Sequence, residues 1–212
     1  LQSLLEAADP FFPWLPDMAT TSKAIALKLD AVGVTSSVQG PGRVALVEDE
    51  LGEDVLFHRH AVVEESGQPD LRASVRAFRA YIQSSLSVVE AFLNRHARVL
   101  RAHGRPEDAF RLEQISLDTR FEAWEELFAR GKPIDRAGAE WSQFSEIRRE
   151  RNRVVHALEP LVGYSLTDMS RLLNYVRRGV GGLLSTMRSA QRLPSLYIID
   201  SLQSAPKIEM SP

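Results

Sequence analysis

From Asp70 onward the apolar residues fall into a helical rhythm, and that rhythm constrains the fold more than any other feature. Leu71, Val75, Phe78, Ile82, Leu86, Val89 and Leu93 recur every three or four positions, which lines them along one face of an α-helix. Asp70 is placed to cap this helix, and Gly104 and Pro106 end it. A second helical stretch runs from about Pro106 to Arg130, with a break expected near Asp118 and Gly131 as its stop. A third spans roughly residues 137–158. Trp141, Phe144, Ile147, Val154 and Leu158 mark its inner stripe, and Pro160 and Gly163 come after as stops. A fourth opens at Ser165, with Asp168 three residues on in the manner of a capping box. It carries Leu166, Met169, Leu173, Val176, Val180, Leu183 and Met187. Gly179, Gly181 and Gly182 interrupt this stripe at about 1 kcal/mol each relative to Ala. Close packing against a neighbour would offset that cost; a helix break is the alternative. Four amphipathic helices on short loops predict a mainly α protein, an antiparallel four-helix bundle over residues 70–193.

The chain around this bundle reads differently. Residues 1–16 (LQSLLEAADPFFPWLP) hold three prolines and predict an irregular arm that packs on something. Between about 23 and 66, the stretches AIALKLDAVGV, RVALVED and DVLFHRHAVVEE are rich in Val and Leu and separated by turn residues. They read as two or three short strands, the first equally as a short helix. Residues 1–69 are thus expected to form an arm and a small β-containing segment. Residues 194–212 form a tail whose SLYIID suggests a strand or docking segment.

The halves differ in charge. Residues 1–70 carry four Lys/Arg against twelve Asp/Glu, a balance of −8, whereas residues 71–212 carry 22 against 16, or +6. Opposite signs suggest different partners, and the acidic third is a candidate flap over a basic cleft. Arg outnumbers Lys 22 to 4, which favours forked contacts to phosphate, although base composition of the gene gives the same bias. No apolar run approaches the roughly 18 residues a membrane span needs, and no signal-peptide pattern opens the chain. The first residue is Leu rather than Met, which leaves the native start open. With no cysteine, disulfides are excluded and a zinc site is not expected; a cytoplasmic protein is expected.

The stretch EIRRERNRVVHALEP (Glu146 to Pro160) sets four arginines within six residues. At about 100° per residue, Arg151 lies four after Ile147 and three before Val154, on the apolar row itself. A buried guanidinium needs water, a carboxylate or an anion. Glu90 is the candidate carboxylate: it is the only acid between Leu71 and Gly104, among six arginines. Arg148, Arg149 and Arg153 read as a solvated or phosphate-facing surface. His156 lies four after Asn152, on one face with it, while Arg151 and His156 stand about 140° apart and do not pair on a straight helix. His96 falls on the first helix's apolar row and reads as a satisfied core histidine. His103 reads as a charge partner at a helix C-terminus. His58 and His60 would share one face of a strand, too few for a metal.

These residues resemble a known family. RNRVVH (Arg151 to His156) matches the R-N-x-x-x-H form of the R-x4–6-H signature of HEPN domains, late in a helix as that family carries it. YIQSSLSVVEAFLNRHAR (Tyr81 to Arg98) is similar to the early HEPN helix. RVLRAH (Arg98 to His103) also fits the bare spacing but lacks the Asn. The resemblance covers about residues 70–190. It implies an up-down bundle, a two-fold homodimer placing two motifs across a cleft, and metal-independent cleavage of RNA with no cofactor. Some members of the family only bind RNA, a nucleotide or a protein partner, and some are toxins paired with an antitoxin. In one subgroup the motif extends to H-x-Y; here that position is Leu158, which argues against control through that tyrosine.

The chemistry implied is internal transesterification. One group takes the 2′-hydroxyl proton, another protonates the 5′-oxygen, and positive charge steadies the phosphorane. Histidine suits the proton transfers near neutral pH, and arginine offers a fork to the phosphate. One histidine per chain does not readily serve as both base and acid, but a two-fold interface supplies two. The expected catalytic set is Arg151, His156 and Asn152, with Asn152 orienting the imidazole. Glu90 is expected in support, Arg148, Arg149 and Arg153 on the RNA, and a defence or toxin role overall.

Overall fold

A computed structural model describes residues 47–68, 70–156 and 163–210, leaving out the side chains of Val155 and His156. The described chain is mainly helical. In order come α1 (Val47–Ser66), α2 (Arg72–Ala102), α3 (Pro106–Leu112), α4 (Leu117–Phe128), α5 (Ala139–His156), α6 (Leu166–Asn174), a π-helical segment (Val176–Gly182), α7 (Leu183–Ala190) and α8 (Tyr197–Ser204). Among the described residues none is in a strand, and no helix is long and apolar enough to cross a membrane.

The strand expected over DVLFHRHAVVEE is a correction. Residues 54–65 belong to α1, which packs along α2 with Val55 and Val62 fully buried. Val55, Arg59 and Val62 stand four and three apart, so a helical stripe was present. Arg59 broke its apolar pattern, and the β-branched residues pulled the reading toward strand. His58 and His60 therefore lie about 200° apart around a helix rather than on one strand face; exposed His60 pairs with Glu64 one turn on at 3.1 Å. The strand expected over RVALVED ends in the same helix, since Val47, Glu48 and Asp49 form the first turn of α1; its residues 43–46, the first expected strand and the arm at 1–16 fall outside the described residues. Of the acidic third, residues 47–66 form α1, packed on α2.

The helical expectations meet the structure closely. α2 runs for 31 residues, about 46 Å at 1.5 Å per residue, and α1, α3 and α5 all pack on it. Asp70 accepts the Arg72 amide at 3.0 Å, one residue from the expected cap geometry, since Leu71 holds the N-cap position. Gly104 and Gly131 take φ of +71° and +76°, the left-handed turn that favours glycine. The second helical stretch breaks at residues 113–116. Ser165 Oγ accepts the Asp168 amide at 3.0 Å and donates to its carboxylate at 2.6 Å.

Both readings of the glycine-rich fourth helix hold together. The ladder loosens into a π-helical segment between α6 and α7. The carbonyls at the end of α6, just before it, find partners on other helices: Tyr81 donates to Leu172 O at 2.9 Å and Arg59 Nε to Leu173 O at 3.1 Å. The glycines also allow close approach. A Cβ on Gly179 would sit 2.9 Å from the Phe144 amide nitrogen of α5, and one on Gly181 3.0 Å from the Gln203 nitrogen of α8. The tail docks as a helix, not a strand. Ile198, Ile199 and Leu202 are buried, and Asn174 fixes Ile208 by accepting its amide at 2.8 Å and donating to its carbonyl at 2.7 Å.

Candidate functional site

α5 carries the arginine-rich stretch, and its first half is anchored firmly. Phe144 and Ile147 are fully buried. Phe121 meets Phe144 and Trp141 edge-on at 5.7 and 5.1 Å, and Arg136 stacks 3.9 Å from the Trp141 ring. The Gly179 contact clamps the backbone of this half to the π-helical segment. The second half of α5, with its arginines, therefore continues from a fixed base.

The four arginines there have four different environments. Arg148 gives both arms of its fork to Asp118 at 2.5 and 2.7 Å, tying α5 to the first turn of α4. The bond holds the Asp118 carboxyl below its ordinary range and the guanidinium above its own. Arg153 folds back on Glu150 at 2.8 Å and lies over the Tyr164 ring, 5.2 Å from its centroid. Arg149 is exposed and has no partner among the described residues. Arg151 is half-buried; its Nη1 donates to Asn152 Oδ1 at 3.3 Å, and its Nε is sealed from solvent with no hydrogen-bond partner among the described residues. Its guanidinium thus turns inward from the wet face.

Arg151 and Asn152 are brought together, and the expected partner Glu90 is not. Among the described ion pairs none joins Glu90 to Arg151. Glu90 instead lies beside Arg120, which donates to its backbone carbonyl at 3.3 Å and feels its carboxylate through space. His156 ends α5, and its imidazole lies outside the described residues, as does Leu158.

Tyr164 escaped the sequence reading. It stands where the described chain resumes after α5, edge-on to Phe78 at 4.9 Å. Burial and the neighbouring Glu150 carboxylate push its phenol up to about 12. An isolated tyrosine beyond a proline and a glycine gives no pattern to find it by. Also missed were the buried arginines Arg59, Arg120 and Arg188. Arg120 gives Nε to Leu112 O and Nη2 to Asn94 Oδ1, each at 2.6 Å, and so joins α4 to α2 and to the end of α3. His96 is a satisfied core residue, as read. Its Nδ1 lies 2.8 Å from Phe92 O and its Nε2 2.7 Å from the Gln191 amide nitrogen, and burial lowers its pKa to about 4.

No family model, no curated protein and no solved structure matches this chain.

Proposed function

We propose that this chain is a metal-independent endoribonuclease of HEPN type, working as a homodimer with a site composed from both copies. The antiparallel four-helix reading of residues 70–193 belongs to the same proposal. The observation that supports it best is Arg151: a half-buried guanidinium with a sealed Nε, hydrogen-bonded among the described residues only to the neutral Asn152, five residues before His156 on one helix. A sheltered cation with no carboxylate on it among the described residues attracts an anion, and a scissile phosphate is the anion this motif implies. His156 supplies the proton transfers, one copy as base and the other as acid, and Asn152 orients it. Arg149 tracks the RNA backbone. A defence or toxin role with a regulatory protein partner, in the cytoplasm, completes the reading.

The test is direct. Purified chain incubated with RNA in EDTA is expected to leave 2′,3′-cyclic phosphate ends, and Arg151→Ala and His156→Ala are each expected to abolish this without unfolding the protein. Cleavage that survives both changes removes the mechanism, and a strict monomer by light scattering removes the composite site. A second reading has an observation in its favour. Arg148 and Arg153 are already held by Asp118 and Glu150, which leaves a thin cationic surface. A catalytically silent module that binds RNA, a nucleotide or a protein predicts binding without cleavage in the same assay.

A further inference from the structure

Away from α5, a polar cluster is buried where α1, α2 and α7 meet. Arg188 of α7 is 4% exposed, as is His96 of α2, while Gln191 is 1% and Glu48 of α1 5% exposed. Arg95 of α2 completes it, its side chain 20% exposed and ion-paired through Nε to Glu48 at 3.0 Å. Arg188 donates Nε to Pro194 O at 2.6 Å, but no carboxylate among the described residues lies within ion-pair distance of it. Glu48 and Asp49 attract it only through space, and Arg95 repels it. Two guanidiniums thus bear on one another in a region sheltered from water, with Glu48 bonded to Arg95 and both Glu48 and Asp49 reaching Arg188 only through space.

The hydrogen bonds around them are also incomplete. Arg95 Nη1 and Gln191 Oε1 are buried without partners among the described residues. The Gln191 orientation is fixed by its neighbour. His96 Nδ1 faces the Phe92 carbonyl and so carries the proton; Nε2 must accept, and the Gln191 amide nitrogen donates to it. That leaves the amide oxygen as an acceptor with nothing to accept. A free Arg95 Nη1 donor and a lone Gln191 acceptor, next to a second guanidinium at Arg188, suit a ligand that is anionic and also carries a hydroxyl.

We infer that Arg95, Arg188 and Gln191 form a binding site for a small phosphate group, either free phosphate or the terminal phosphate of a phosphomonoester, with the Glu48 carboxylate as its competitor. The oxyanion relieves the repulsion between the two arginines and takes their forks. The protonated phosphate oxygen gives Gln191 Oε1 its hydrogen bond. Entry is from the side of Arg95, the member of the cluster that reaches solvent. Because Glu48 stands in the first turn of α1, occupancy is coupled to how that turn sits on α2.

The experiment measures Tm and calorimetric binding in inorganic phosphate at constant ionic strength, with sulfate as control for the general stabilisation that excluded salts give the folded state. Wild type is expected to show a saturable rise in Tm with phosphate, and Arg188→Met only the unsaturated rise that sulfate also gives. Glu48→Gln, which removes the competing charge, is expected to saturate at lower phosphate. A ribonucleoside 5′-monophosphate is titrated in parallel: tighter binding than inorganic phosphate identifies a phosphomonoester, weaker binding the free ion. An equal rise in wild type and Arg188→Met overturns the site. If Arg188→Met does not fold, calorimetry on wild type and Glu48→Gln decides. No heat with either titrant, or the same affinity in both proteins, overturns it.

Discussion

Gly179→Ala separates the structure from the sequence most cleanly, because the two predict opposite signs. On propensity alone, Gly to Ala within a helix stabilises by about 1 kcal/mol. The structure places the new methyl 2.9 Å from the Phe144 nitrogen and 3.0 Å from the Gln143 carbonyl carbon. Ordinary contact needs several tenths of an ångström more, and backbone atoms cannot rotate away as a side-chain tip does. The shift must come from α5 as a body, which carries fully buried Phe144 and Ile147 with it. Overpacking of this kind costs about 1–3 kcal/mol, more than the propensity gain, which a π-helical backbone realises only in part. The expected net loss is about 1–2 kcal/mol, or a Tm lower by about 2–8 °C for a chain of this size. Gly182→Ala is the internal control. Its nearest neighbour is the Glu140 Cγ at 3.0 Å, part of a flexible side chain, so its loss is expected to be smaller. Thermal unfolding followed by circular dichroism measures both. A Tm for Gly179→Ala equal to or above wild type would falsify the close approach and return the segment to a simple helix break.

Three further outcomes arise from the charges. The pKa of His96 is lowered to about 4 in the folded state against 6.5 in the unfolded chain, so the unfolded chain binds the extra proton between those values. Stability is full above pH 6.5 and falls by about 3 kcal/mol as pH drops to 4; His96→Gln is expected to flatten that stretch of the urea-stability profile, and an unchanged slope refutes the assignment. On the ribonuclease reading, Arg149→Ala should lower the salt dependence of RNA binding by about 0.7 in log–log slope, one phosphate on a single strand. Arg148→Ala, whose fork belongs to Asp118, should leave that slope alone; a larger effect from Arg148 than from Arg149 reverses their roles. Arg151→Met should abolish cleavage while leaving Tm unchanged or higher, since it removes a sheltered cation with no carboxylate bonded to it among the described residues; a Tm several degrees lower makes Arg151 a structural residue.

Legibility along the chain tracked the range of the interactions involved. The Ser165–Asp168 cap, the left-handed Gly104 and Gly131 and the stripe on α2 depend on neighbours a few residues away, and each could be read. α1 could not, because its β-rich composition is overruled by packing on α2, and the residue at the centre of its buried row is Arg59, bonded 114 positions away to Leu173. The π-helical segment was half legible. Its glycines announced a departure, but the partners of the carbonyls just before it, Tyr81 and Arg59, come from α2 and α1. At the candidate site, the inward turn of Arg151 could be read from its place on the row, whereas the Arg148–Asp118 bond spans 30 residues and no local pattern encodes it.

The same distinction bears on how arginine-rich stretches are read. Counting cations along α5 gives a basic helix. Tracing each guanidinium to its acceptor gives something narrower. Arg148 and Arg153 are neutralised by carboxylates, and Arg149 stands in solvent. Elsewhere Arg59 and Arg120 hold buried carbonyls that helix ends leave open. In all these cases the fold itself gives the charge a reason to be where it is. Arg151 differs: it is half-buried, and its one described hydrogen bond goes to the neutral side chain of Asn152, whereas Arg188 holds a backbone carbonyl as Arg59 and Arg120 do and is set apart by facing Arg95. Folding gains little from a cation held as Arg151 is and can gain from its removal. A sheltered guanidinium held by neither a counter-charge nor a backbone carbonyl is therefore a better pointer to an anionic ligand than the density of arginines around it.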